Sequence, residues 1–479
     1  MVSVGAPVRR AWSESDRFVP RRVAQPMQRF MALEAAGGAV MLAAATVALG
    51  WANSPWHESY SQLWSTPIDV RVGGLIQLDH LSLQTWVNDA LMAVFFLLAG
   101  LEIKRELVHG DLRDKRAAAL PALAAVGGML VPALIFAAFT VGHPGSGGWG
   151  VPMATDIAFA VGVVTLLGRR VPAGAKVFLL TLAIVDDIGA IVVIAVFYAG
   201  DLSWGWLAAA LAGLAAAFAL RRSDVQSLAP YLGVGVFVWV ALLQSGVHAT
   251  LAGVAFGIIT PAWPLRSPRR LPGDARRLIS DIERAYYDRV LTQTEFEENE
   301  FRTGELVRLA VQSTSPIERL TSWLHPWVVF VILPVFALAN AGVHLSGDAL
   351  SAEGAGRVFL GVSVGLVAGK AIGVLGASWL AVRLGIGVLP PQTNWRHMGG
   401  VAVTAGVGFT VALFVTGLSF DAPVLADAAK LGILAGSVVA GAWGAWLLRG
   451  PGATKRPTSR RKAHTSVYES SRVRESISD

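Results

Sequence analysis

Residues 174–199 read GAKVFLLTLAIVDDIGAIVVIAVFYA, from Gly174 to Ala199. A helix that crosses the hydrocarbon core of a bilayer needs roughly 20 residues of this apolar kind. Two carboxylates, Asp186 and Asp187, stand at the midpoint of the stretch, where an ionisable group costs several kcal/mol on most estimates. The rest of the chain has the same character: of 479 residues 54% are apolar and 15% are charged, where a soluble domain carries about 25% charged residues. A single soluble core rarely grows that large. With no cysteine, disulfides, thiolate metal sites and Cys nucleophiles are excluded.

Scanning outward for similar stretches gives twelve expected spans, near 31–52, 85–107, 117–141, 149–168, 174–199, 203–220, 231–247, 248–264, 323–345, 357–383, 397–418 and 428–448. The seventh and eighth are separated only by Gln244-Ser245-Gly246. Loop charge decides between one span and two there. With twelve spans, 36 of the 40 basic residues fall on the side that holds both termini, and only Arg71, Arg357 and Lys430 fall opposite. Both termini are therefore expected in the cytoplasm by the positive-inside rule. The formal net charge of +7 then reports orientation, and nucleic acid is not an expected partner.

The charged arm 1–30 has no apolar run and is expected to be cytoplasmic, followed by a transmembrane domain over 31–448. The outer loop 53–84 contains Asp69-Val70-Arg71-Val72-Gly73-Gly74-Leu75-Ile76-Gln77-Leu78, two short strand-like runs joined by a Gly-Gly turn, a hairpin signal. Residues 265–322 mix both charge signs and set Leu271, Leu278, Ile279 and Ile282 at near-helical spacing, so either a solvated connector or an amphipathic cytoplasmic helix fits. The Ser/Arg-rich tail 449–479 is expected to be disordered.

Three spans carry charge near their centres: Asp156, the pair Asp186 and Asp187, and Lys370. The chain uses only seven lysines against 33 arginines. An amine that must release a proton cannot be replaced by guanidinium, so Lys370 suggests proton release. A structural ion pair with one of the aspartates is the other reading, and both hold if the pair breaks during a cycle. Neighbouring helix positions point about 100° apart, so Asp186 and Asp187 are expected to have different roles. Buried oxygens of this kind can hold a proton or a small hard cation, and competition between the two is the physical core of an exchanger.

Two spans are interrupted. Gly148-Trp149-Gly150-Val151-Pro152 precedes Asp156, and Gly399-Gly400 and Gly406-Val407-Gly408 punctuate the eleventh span. Each is the middle member of a three-span group, and the groups are inverted relative to one another, the pattern of inverted repeats with broken helices crossing at an ion site. The family named next is itself among the examples from which that pattern is known. Half-helix ends meeting at mid-membrane would bring partial charges, with Asp156 placed to neutralise the positive ends and Lys370 the negative ones.

Thr155-Asp156-Ile157-Ala158-Phe159-Ala160 and Ile184-Val185-Asp186-Asp187-Ile188-Gly189-Ala190-Ile191 together resemble the signature of the NhaA-type sodium/proton antiporters. So do Phe95 to Glu106, Ser245-Gly246-Val247-His248-Ala249-Thr250, His325-Pro326-Trp327, Phe336 to Gly342 and Gly369-Lys370, all in order between residues 30 and 448. The resemblance implies an all-α, twelve-span exchanger of the bacterial cytoplasmic membrane that expels Na⁺ or Li⁺ for a larger number of protons, is electrogenic, is more active at alkaline pH and needs no cofactor. It implies Asp187 as principal cation ligand with Thr155 and Asp156 nearby, and Asp186 paired with Lys370 as candidate proton carriers. Glu102 would line the cytoplasmic funnel, His248 would take part in pH response, and the outer hairpin would form a homodimer contact within the lipid. The long 265–322 connector, the extended tail and the absence of ionisable side chains in Leu320-Thr321-Ser322-Trp323 depart from compact members.

Other functions fit less. A sodium-coupled symporter of an organic solute would need more intramembrane polar groups. An intramembrane aspartyl protease resembles a different pattern, Tyr before one aspartate and Gly-x-Gly before the other, and gives Lys370 no task. A structural channel subunit is the remaining alternative.

Overall fold

In the computed structural model the described residues are 36–72, 76–78, 81–223, 225, 228–287, 293–345 and 351–449. The arm 1–30, the start of the first expected span and the tail from 450 lie outside them. The described chain is helical apart from one small antiparallel hairpin, β1 (Val70–Val72) with β2 (Ile76–Leu78), in the register Val70 to Leu78. The hairpin stands where the Gly-Gly turn predicts it. In an apolar solvent a helix satisfies its own backbone, which is why these long apolar runs fold as helices.

In chain order the helices are α1 (Ala36–Ala52), α2 (His57–Ser65), α3 (Leu83–Val108), α4 (Lys115–Thr140), α5 (Ile157–Leu166), α6 (Ala173–Phe197), α7 (Trp204–Arg222), α8 (Leu228–Ser245), α9 (Leu251–Ile259), α10 (Leu271–Tyr287), α11 (Gln293–Gln312), α12 (Pro316–Asn340), α13 (Ala355–Arg383), α14 (Trp395–Thr404), α15 (Thr410–Ser419) and α16 (Pro423–Arg449). Among the described residues nine helical stretches, one of them Ser146–Leu166 with α5 at its end, are long and apolar enough to cross a membrane, or ten if α1 and α2, bent by 114°, count as one span. Four of the twelve expected positions differ from single long α-helices. The first is the 17-residue α1, the fourth is α-helical only over the ten residues of α5, the eighth is reduced to the nine-residue α9, and the eleventh is divided into α14 and α15. Nine residues of helix reach only about 14 Å, less than half the bilayer core.

The seventh and eighth expected segments are separate. Gly246 adopts φ +81° after α8, and a side chain there would strike the carbonyl of Asp201. The connector is helical, as α10 and α11, so the amphipathic-helix reading of Leu271, Leu278, Ile279 and Ile282 holds.

α6, which carries the aspartates, buries Phe178, Leu179, Leu182 and Ile194 on the faces that meet its neighbours. α4 and α13 cross with their backbones in contact: an added Cβ at Gly127 would lie 2.4 Å from the carbonyl oxygen of Gly373. Just before Lys370, α13 widens into a π-turn over Gly365–Gly369, a feature often found at functional sites.

Candidate ion-binding site

The chain leading into α5 is not α-helical. Ser146–Met153 form 3₁₀ turns, Ala154 to Asp156 are extended, and α5 begins at Ile157. Opposite it, α14 ends at Thr404 and α15 begins at Thr410. The two interruptions are joined directly. The Asp156 backbone N–H donates to the carbonyl of Val407 at 2.7 Å, and the Thr155 hydroxyl donates to the carbonyl of Ala405 at 2.9 Å.

Asp156 is buried, and both carboxylate oxygens are engaged. Oδ1 accepts from the N–H of Phe159 at 3.1 Å, and Oδ2 accepts from the N–H and hydroxyl of Thr410 at 3.0 and 2.8 Å. One carboxylate thus caps the N-termini of two helices, α5 and α15, where unsatisfied N–H groups and the helix dipole both favour negative charge. The expectation for Asp156 is met.

The expectation that Lys370 neutralises the negative helix ends is corrected. Its ammonium bonds to Asp186 Oδ2 at 2.7 Å, with both side chains fully buried, while carbonyls beyond α14 are served by Thr155 and Asp156. A full opposite charge attracts the ammonium more strongly than the half charge of a helix terminus. The ion-pair reading of Lys370 is therefore the one present in this state. Asp186 Oδ1 is buried with no hydrogen-bond partner among the described residues.

Asp187, the next residue, is half-buried and has neither a hydrogen bond nor an ion pair among the described residues. It lies within electrostatic range of Asp186, Glu102, Asp156 and Lys370. The cluster therefore gathers four carboxylates and one amine from α3, α6, α13 and the chain before α5. Glu102 is half-buried on α3, near Arg105 and Glu106 of the following turn. No group of three or more His, Cys, Asp or Glu with the geometry of a metal site is found among the described residues. An alkali cation here would be cargo, held by carboxylate, hydroxyl and backbone oxygens.

His248 stands apart from this cluster. Its Nε2 is 2.6 Å from the carbonyl of Tyr198. Tyr198 lies twelve residues beyond Asp186 on α6, about 18 Å along the helix.

The model of the Na+/H+ antiporter 1 family matches residues 28–448. The chain belongs to this antiporter family. Its relatives include "Na(+)/H(+) antiporter NhaA" of Anaeromyxobacter sp. (strain Fw109-5), 48% identical over 444 residues, covering 92% of this chain and 94% of that one. "Na(+)/H(+) antiporter NhaA 2" of Sorangium cellulosum (strain So ce56) is 46% identical over 428 residues, covering 88% and 89%. "Na(+)/H(+) antiporter NhaA" of Rhodopirellula baltica (strain DSM 10527 / NCIMB 13988 / SH1) is 45% identical over 424 residues, covering 88% and 93%.

For this antiporter-family chain, sequence reasoning missed two residues that the geometry brings forward. Thr410 completes the double cap at Asp156, and its place just past a Gly-x-Gly break, like that of Thr155 past Gly150 and Pro152, was the available signal. Tyr198 had none, because a tyrosine at the end of an apolar span usually marks the membrane interface.

Proposed function

We propose that the protein is an electrogenic Na⁺(Li⁺)/H⁺ antiporter of the bacterial cytoplasmic membrane, with both termini in the cytoplasm, serving sodium and pH homeostasis. The reading is carried by one observation above all: Asp187 has no hydrogen-bond or ion-pair partner among the described residues, while its neighbours Asp186 and Asp156 are committed to Lys370 and to two helix ends. A carboxylate held in a bundle without a partner is available to a proton or a cation, and not to both.

In this reading Na⁺ enters past Glu102, and Asp187 takes it together with oxygens of Asp156 and Thr155. Cation binding draws on the same negative charge that holds Lys370 to Asp186, so loading the site loosens the pair and releases protons. Unloading on the other side lets protons return. The two joined interruptions, Ala154 to Asp156 and 405–409, serve as broken spans of an inverted repeat, and twelve spans carry the fold. The hairpin β1–β2 is the proposed contact of a homodimer, and no cofactor takes part. His248 is assigned to pH response rather than to cargo binding.

Proton and sodium compete for one carboxylate, so raising the pH strengthens Na⁺ binding. The apparent KM for Na⁺ is expected to fall about tenfold per pH unit while the site is still protonated, by mass action. The test is reconstitution into liposomes with an imposed pH gradient and a fluorescent pH dye. Adding Na⁺ or Li⁺ should collapse the gradient, and silence of the wild-type protein from pH 6 to 9 would sink the proposal. The symporter reading gains no support, since relatives over the whole domain are named antiporters.

A further inference from the structure

Tyr198 caps the C-terminus of α6, at the end of the bundle that the basic-residue count assigns to the outside. Its hydroxyl donates to the carbonyl of Gly147 at 2.9 Å and accepts from the N–H of Gly150 at 3.0 Å. Trp149 packs between them, its ring 5.1 Å from that of Phe197 and 6.1 Å from that of Tyr198. The backbone carbonyl of Tyr198 is held by His248 from the loop before α9. One residue therefore ties together the end of α6, the 3₁₀ segment and the α8–α9 loop.

The two sides of the carboxylate cluster differ in access. Toward Tyr198, every residue from Gly150 to Asp156 is buried, and Val151 is wholly so. Around the cluster itself Asp187, Ile188 and Gly189 are half-buried, as is Glu102. The 3₁₀ segment is the plug between the cluster and the outer end. Its own helical bonds are short-range and of poorer geometry than α-helical ones, so it depends on external partners.

We infer that Tyr198 is a positioning residue that latches the 3₁₀ segment Ser146–Met153 shut over the outer path to the carboxylates. This rests on the exchanger reading, in which the site must open to each side in turn. Opening outward requires Gly147 and Gly150 to leave the tyrosine hydroxyl together, because a single O–H group holds both, one as acceptor and one as donor.

Because the sequence contains no cysteine, a single reporter can be added without removing any other. Val151→Cys places it under the latch, and a membrane-impermeant maleimide is applied to right-side-out vesicles. Adding Tyr198→Phe removes both hydroxyl bonds and is expected to speed labelling from outside about tenfold, with labelling from the cytoplasmic side unchanged. An outside rate within about twofold of the Val151→Cys background, or an equal rise from both sides, overturns the latch. If Tyr198→Phe does not reach the membrane, Trp149→Leu, which removes the ring packed against Tyr198, carries the test with an expected rise of about threefold, and no rise overturns it. Na⁺-driven exchange is measured separately on the protein without the reporter, so failure of the transport reading and failure of the latch are told apart.

Discussion

Asp156 and Asp187 are both carboxylates set deep in the bundle, yet their surroundings are opposite. Asp156 receives three hydrogen bonds from two helix starts, and Asp187 receives none from the described residues. Asp186, between them in character, has one oxygen on Lys370 and the other without a partner among the described residues. On the proposed reading the two divide the work unequally: Asp156 serves the fold as well as the cargo, while Asp187, with no bond to the described residues to lose, serves the cargo alone.

The sharpest way to break this division is Asp187→Asn. It should abolish Na⁺-driven exchange, a loss of at least about 100-fold, with thermal unfolding of the detergent-solubilised protein unchanged, because no native bond is lost. A large fall in stability would show that Asp187 is structural after all. Next in size, Lys370→Gln strands the Asp186 carboxylate in a dry site and should destabilise the protein by about 3–5 kcal/mol. Adding Asp186→Asn should recover most of that, since the pair removed together is nearly neutral. If pairing is all Lys370 does, the double variant transports. Loss of the rate's dependence on membrane potential in that variant would instead mark a proton carrier.

Asp156→Asn should cost about 1.5–3 kcal/mol, since an amide cannot accept at both oxygens and one of its helix caps is lost. Denaturant unfolding of the purified protein measures this, and a cost below about 0.5 kcal/mol would contradict the double-cap assignment. The smallest effect is that of Thr410→Val. It removes the hydroxyl bond but keeps the backbone one, so it should cost about 1 kcal/mol with Na⁺ exchange retained.

Much of the fold was legible in the chain because bilayer burial writes itself as long apolar runs, and because charge at their centres has no structural excuse. Asp186 and Lys370 illustrate this: their pairing was among the readings open before any geometry. The hairpin at 70–78 and the helices of the connector followed from turn chemistry and periodicity. What could not be read was set by contacts distant in sequence. The cap from Asp156 to Thr410 spans 254 positions; the Gly-x-Gly break before Thr410 marks an interruption there, but nothing local names its partner. The same holds for Tyr198 with Gly147 and Gly150, where a hydroxyl meets backbone groups that carry no side-chain signature. The role expected of Lys370 at negative helix ends failed for a related reason, because partial charges are visible from position whereas the winning partner depends on distance.

The contact between Gly127 and Gly373 limits how any cycle can proceed. With carbonyl oxygens lying where side chains would otherwise be, α4 and α13 have no deformable layer between them on which to slide. At that crossing the two helices move together, and Lys370 stands three residues from it on α13, just past the π-turn. Separation of the lysine from Asp186 therefore falls to the lysine's own flexible stem, to displacement of α6 against the pair, or to a bend at the π-turn Gly365–Gly369 on the other side of the lysine.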